Sequence, residues 1–209
     1  MPARKFITFE GGEGSGKSTQ ARLLAERLRA GGHEVVLTRE PGGTPLAERI
    51  RDLVLAQKPQ SPNAEFLLFA AARAEHLRAV IEPALQRGAF VVCDRFIDST
   101  RVYQGVVGGV DDGLIMELER RTVAPNLPAL TFIVDIDPAV GLARAAGRGE
   151  LSRYDSAQSE THAALRRGFL AIAHDEPQRC VVVDGSRNIE AVERDIWQAV
   201  STRLLGKAS

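Results

Sequence analysis

Residues 11–18 read Gly11, Gly12, Glu13, Gly14, Ser15, Gly16, Lys17, Ser18, a G-x-x-x-x-G-K-[ST] run between an apolar stretch at 6–10 and a helix-period segment at 18–30. That context assigns each residue a task. Glycines let consecutive backbone N–H groups converge on an anion, the helix N-terminus adds partial positive charge, and Lys17 reaches toward terminal phosphates. Ser18 is suited to hold Mg2+. The run predicts an ATP-phosphate cradle. No G-x-G-x-x-G occurs in this turn, which excludes a dinucleotide fingerprint. Lys5, Lys17, Lys58 and Lys207 follow Arg4, Gly16, Gln57 and Gly206, so none sits in the N-K-x-D element with which guanine-specific switch proteins read their base.

Other residues could act beside such a cradle. Asp94 and Arg95 end an apolar run, which puts a carboxylate able to order Mg2+ waters and a phosphate-clamping cation at one sheet edge. Phe69 and Arg73 are four apart and share a helix face, either as a core Phe with a snorkelling Arg or as a pair facing a ligand. Ser99 to Gln104 supplies hydroxyls and the Tyr103 ring within one or two helical turns. Arg39 opens a loop, REPGGT, whose Pro41, Gly42 and Gly43 let backbone approach a ligand closely. Arg144, Arg148 and Arg153 surround the pivots Gly147 and Gly149. The segment 147–159 reads as a mobile lid or as solvated surface. His33, His76, His162 and His174 are scattered without metal-ligand spacing and read as inert, and Cys93 reads as a small core residue.

These groups must be positioned by elements, and the pattern supplies them. Short apolar runs at 6–10, 35–38, 90–94, 131–135 and 180–184 alternate with helical patterns at 18–30, 46–55, 63–86, 113–122, 138–146, 161–173 and 189–204. Near-continuous apolar strands separated by helices predict an α/β domain, three layers deep, with a five-stranded parallel sheet and ligands at the strands' carboxyl ends. The 209 residues fit one domain, spanning 1–209. With 44% hydrophobic and 26% charged residues the chain is an ordinary globular one. Lys plus Arg (27) cancels Asp plus Glu (27), so no net field favours a nucleic acid and any anion must be held locally. Two cysteines are too few for a disulfide framework, and no apolar run approaches a membrane span, which leads to an expectation of a cytoplasmic protein without membrane contact.

FEGGEGSGKSTQ, TREPGGTPLAERIR, LLFAAARAEH, CDRFIDSTRVYQG and DIDPAVGLARAAGRGEL occur in the order and spacing of bacterial thymidylate kinases, and the chain resembles that family from residue 6 to about residue 192. The resemblance implies phosphoryl transfer from MgATP to dTMP. It implies that Glu13 accepts from the acceptor's 3′-hydroxyl, that Phe69 stacks on thymine and that Arg73 donates to the C4 carbonyl. Arg95 would clamp the acceptor phosphate, with Arg39 a second acceptor-side residue, Thr100 near the base and Tyr103 near the sugar's C2′. Some similar kinases carry an Arg where this chain has Gly14, so the lid cations Arg148 and Arg153 would supply catalytic charge, with Arg144 doing less. The family also implies a homodimer. This chain departs from it at Ala146 and Ser152, where lids commonly carry Arg and Asp, and in the uncharged stretch 106–110. Two alternatives stand beside this reading: a kinase with a different nucleotide acceptor, and a silent nucleotide-binding regulator, against which the retained Lys17, Asp94 and Arg95 count.

Overall fold

The computed structural model describes residues 3–56, 59, 61–147 and 159–206. Five strands, β1 (Ala3–Glu10), β2 (Val35–Arg39), β3 (Phe90–Asp94), β4 (Pro128–Asp135) and β5 (Cys180–Asp184), form one sheet in the order β2-β3-β1-β4-β5. Every pairing is parallel. The expected architecture is the one observed.

Alternation along β1 sends neighbouring side chains to opposite layers. Ile7 and Phe9 join Leu24 and Leu28 of α1 (Lys17–Ala30) and Val192 and Ile196 of α9 (Ile189–Arg203), beneath Phe132 of β4. Phe6 instead packs with Leu77, Ile81, Val91 and Phe96 on the other face. Ile133 on that face meets Leu165 and Phe169 of α8 (Ser159–Asp175). Residues of 0 to 2% exposure on both faces explain why the strands read as apolar without a polar side.

The remaining helices are α2 (Pro45–Ala56), α3 (Pro62–His76), α4 (Glu82–Gln86), α5 (Ile97–Thr100), α6 (Asp112–Thr122) and α7 (Pro138–Ala146), of which α5 and α7 follow directly on the carboxyl ends of β3 and β4. The predicted helix at 63–86 is helical throughout but widens into a π-helical turn at Leu77–Ile81. Pro83 has no N–H for the carbonyl four residues back, and the chain shifts its bonding register just before it. A second π-helical run, Arg101–Val107, extends α5. The helical turns expected at 99–104 are present, and they widen to π-helical bonding from Arg101.

The registers bring the strand ends level. Asp94 lies opposite Phe9 on one side and Arg39 on the other. The ladder then continues past the strands, with Arg95 N donating to Phe9 O at 2.9 Å and Glu40 N to Asp94 O at 3.0 Å. Residues 10–18, 39–44 and 94–100 are thereby gathered at one edge.

Candidate active site

The loop after β1 is shaped for an anion. Gly16 caps α1 in the left-handed region (φ 99°), offers no side-chain acceptor to the helix N–H groups, and no acidic residue occupies the first turn. Lys17 is 6% exposed. Its Nζ donates to Gly12 O at 2.5 Å and to Ser15 Oγ at 3.3 Å. Burial first, and then the neighbouring Arg95, lower its pKa to about 8. Gly14, at φ +66°, abuts α7 so closely that a Cβ on it would lie 1.9 Å from Gly141 O, and one on Gly141 would lie 2.4 Å from Glu13 O. The phosphate loop is thus seated directly on α7.

Ser18 Oγ donates to Asp94 Oδ2 in a short hydrogen bond. Asp94 Oδ1 is buried and has no hydrogen-bond partner among the described residues. A hydroxyl and a carboxylate with one vacant oxygen, beside a phosphate cradle, match the sparse protein ligation typical of nucleotide-bound Mg2+.

A cleft of about 150 Å³ opens on the other side of Glu13, between α2, α3 and the segment 95–104. Glu13, Phe69, Arg73, Arg95, Thr100 and Tyr103 all line it, so the structure brings together six of the predicted residues. Arg73, 5% exposed, is held on three sides. Nε donates to Glu40 Oε2 at 2.7 Å, and Nη2 to Phe96 O at 3.1 Å and Thr100 Oγ1 at 2.8 Å. Its Nη1 makes no hydrogen bond among the described residues. Glu40 in turn meets His76 Nδ1 at 3.0 Å, and His76 Nε2 meets Thr38 Oγ1 at 2.7 Å. Thr100, expected near a base, acts here as an acceptor that holds Arg73. His76, read as inert, belongs to this buried chain.

Arg95 occupies a left-handed backbone conformation (φ 68°), the one non-glycine residue to do so among those described. Such a conformation costs about 1–2 kcal/mol and persists only when its surroundings hold it. Glu10 does the holding. It is fully buried, and its carboxylate accepts from Phe96 N at 2.7 Å and Ser99 Oγ at 2.6 Å. Burial, and next the nearby Asp98, push its pKa up to about 7. From this turn Arg95 donates through Nη1 to Gly11 O at 3.1 Å and Ser99 Oγ at 3.2 Å, and through Nη2 to Glu13 Oε1 at 2.6 Å. Tyr103 OH also donates to Glu13 Oε1, at 3.2 Å. Burial alone would raise the Glu13 carboxyl, but Arg95 and then Lys17 outweigh it and hold the pKa at about 2.

Some expectations are corrected. Arg39 does not line the acceptor cleft: its Nη2 is taken by Glu48 Oε2 at 3.0 Å, and the pair faces a separate hollow that includes Ser18 and Asp94. Arg51 of α2, which sequence reasoning missed, lines the cleft instead and donates to Pro41 O at 2.9 Å. Gln104 also lines it, its Nε2 on Glu65 Oε1 at 2.9 Å. Glu40, which follows Arg39 in the REPGGT loop, lines the cleft and is a residue that the loop's composition could have pointed to. Arg144 donates to Gly185 O at 2.7 Å and belongs to the scaffold. Arg148 and Arg153 lie outside the described residues, as does most of the expected lid.

A parallel sheet with a phosphate loop on its central strand, a hydroxyl–carboxylate pair beside it and a second polar cleft that shares Glu13 of that loop defines a P-loop phosphotransferase with separate donor and acceptor sites. The thymidylate kinase family model matches residues 9–196. The thymidylate kinase of Nitrobacter winogradskyi is 51% identical over 206 residues, covering 96% of this chain and 90% of the relative. That of Deinococcus radiodurans is 48% identical over 199 residues, covering 95% and 97%. The crystal structure of thymidylate kinase from Ehrlichia chaffeensis superposes with a TM-score of 0.77 at 39% identity, covering 94% of this chain and 97% of that one. The chain belongs to the thymidylate kinase family. Among its described residues no helix is long and apolar enough to cross a membrane.

Proposed function

We propose that this chain transfers the γ-phosphoryl group of ATP to dTMP, giving dTDP and ADP for dTTP synthesis. The observation that carries the reading is Arg73, which lines the cleft with Phe69 and whose Nε and Nη2 are occupied while Nη1 makes no hydrogen bond among the described residues. A fixed donor beside an aromatic face suits the C4 carbonyl of thymine. Cytosine offers an amino group there, and two donors would then oppose each other in a buried site.

The acceptor phosphate follows from the base, at the other end of the same cleft. Arg95 turns its guanidinium from Glu13 to that phosphate and holds one oxygen for in-line attack on the γ-phosphorus, while Glu13 accepts from the sugar hydroxyl. Lys17 leaves the Gly12 carbonyl for the β- and γ-phosphate oxygens, and α1 receives them on its N–H groups. Ser18 and Asp94 are the residues that would hold Mg2+, the one supplying a hydroxyl and the other a carboxylate. When bound, Mg2+ neutralises charge on the transferring phosphates. Arg148 and Arg153 add cations from the lid. The reading includes a cytoplasmic homodimer, supported by the exposed apolar Leu67 on α3 and Met116 on α6, and no nucleic-acid partner.

ADP release measured with dTMP, dUMP, CMP, AMP or no acceptor tests the reading. Turnover should be fastest with dTMP and slowest with CMP, AMP and water. Equal turnover with CMP or AMP would favour the alternative of a different acceptor, and ATP binding without turnover the silent regulator.

A further inference from the structure

Helix α8 carries His162, Leu165 and Phe169 on one buried face. Leu165 and Phe169 are core residues against Ile133, but His162 has no such explanation. It is 5% exposed, and its Nε2 is buried without a hydrogen-bond partner among the described residues. Native proteins rarely leave a buried ring nitrogen orphaned, and such a group calls for a ligand or a functional role.

The surroundings indicate which. His162 shares a narrow cleft with Gly11, Gly12 and Glu13, and Glu13 also lines the acceptor cleft. Glu13 is thus the residue through which the cleft holding His162 adjoins the acceptor cleft, which His162 itself does not line. Nearness is also visible in the electrostatics, since His162 is among the groups that favour the ionised Glu13. Glu13 Oε1 already receives Arg95 Nη2 and Tyr103 OH, so the carboxylate has donors on that oxygen in the free protein. A sugar hydroxyl arriving at Glu13 brings one donor and two acceptor lone pairs. Once its hydrogen is given to Glu13, its oxygen needs a donor from the protein.

We propose that His162 is a specificity-determining residue of the acceptor site, its Nε2–H donating to the oxygen of the acceptor's 3′-hydroxyl while that hydroxyl donates to Glu13. This rests on the reading of the acceptor as a deoxynucleoside monophosphate with its sugar over Glu13. The contact makes the hydroxyl itself, and not only the space it fills, a requirement for tight acceptor binding.

The test pairs a protein group with a substrate group. kcat/KM is measured for dTMP and for its 3′-deoxy analogue with the parent, His162→Phe, His162→Leu and His162→Gln, each checked for folding by its melting curve. The ratio of the two kcat/KM values should fall about 3- to 10-fold in His162→Phe and His162→Leu, the size expected for one neutral hydrogen bond. The loss should appear with dTMP and leave the 3′-deoxy analogue within about 2-fold. His162→Gln, which keeps a donor, should recover part of the ratio, and it carries the test if both apolar variants fail to fold. Parallel losses on both acceptors, or an unchanged ratio, would overturn the proposal and leave dTMP kinase activity standing. A parent enzyme inactive on dTMP would overturn the acceptor reading, and this contact with it.

Discussion

Arg73 and Lys17 are both buried cations at the edge of one sheet, 5% and 6% exposed, yet they are held in opposite ways. Arg73 is fixed by a carboxylate, a carbonyl and a hydroxyl, and the carboxylate is itself anchored through His76 to β2. Lys17 rests on a carbonyl and a hydroxyl of its own loop, with no carboxylate in hydrogen-bond reach among the described residues. A planar guanidinium in a fixed fork suits reading a base, which must be met the same way every time. An ammonium on a flexible stem suits a phosphate that moves. Rigid partners stand on the side that discriminates, and replaceable partners on the side that does chemistry.

Lys17→Ala cuts this contrast at its mobile end and should have the largest effect: kcat falls at least about 10²-fold while KM for dTMP stays within about 3-fold, because the lost cation meets charge developing in transfer. Steady-state kinetics on a variant with a parent-like melting curve checks it, and near-parent kcat would remove Lys17 from the chemistry. Glu40→Gln attacks the rigid end. It strands the Arg73 charge in a buried site, where breaking one partner of an ion pair costs about 3–5 kcal/mol, so urea unfolding should shift by that order and discrimination against dCMP should weaken. A variant as stable and as selective as the parent would show that the Glu40–Arg73 pair fixes nothing. Tyr103→Phe sharpens the comparison with the smallest change. It removes one hydroxyl contact to Glu13 and keeps the ring, so kcat/KM for dTMP should drop less than about 10-fold and the preference over the ribonucleotide acceptor should remain. Loss of that preference would place the selectivity in the hydroxyl.

The donor side was legible in the sequence because its chemistry is contiguous: residues 11–18 carry the cradle, and the flanking strand and helix give its orientation. Asp94 and Arg95 were legible for a related reason, as the end of an apolar strand in a parallel sheet lies at the ligand edge. The acceptor side was legible only in part. Phe69 and Arg73 share a helix face by spacing, but Arg73 is fixed by Glu40, 33 residues away, and Glu10 reaches Phe96 and Ser99 across 86 and 89 residues. Such pairings exist only once strands have aligned. Arg51, Gln104 and His162 had no local pattern that distinguishes a cleft residue from a surface or core one. Arg39 is held by Glu48 of the next helix, a pairing that the loop's own sequence does not announce. The π-helical turn at Leu77–Ile81 had a local sign in Pro83, whereas the one at Arg101–Val107 had none.

The abutment of Gly14 on Gly141 carries an evolutionary consequence. A side chain at either position collides with backbone of the other segment, at 1.9 Å from Gly141 O or 2.4 Å from Glu13 O. Placing a cation in this phosphate loop at position 14 therefore requires α7 to move away as well. A single codon change at position 14 therefore meets the backbone of α7 before it can present a new cation to the phosphates.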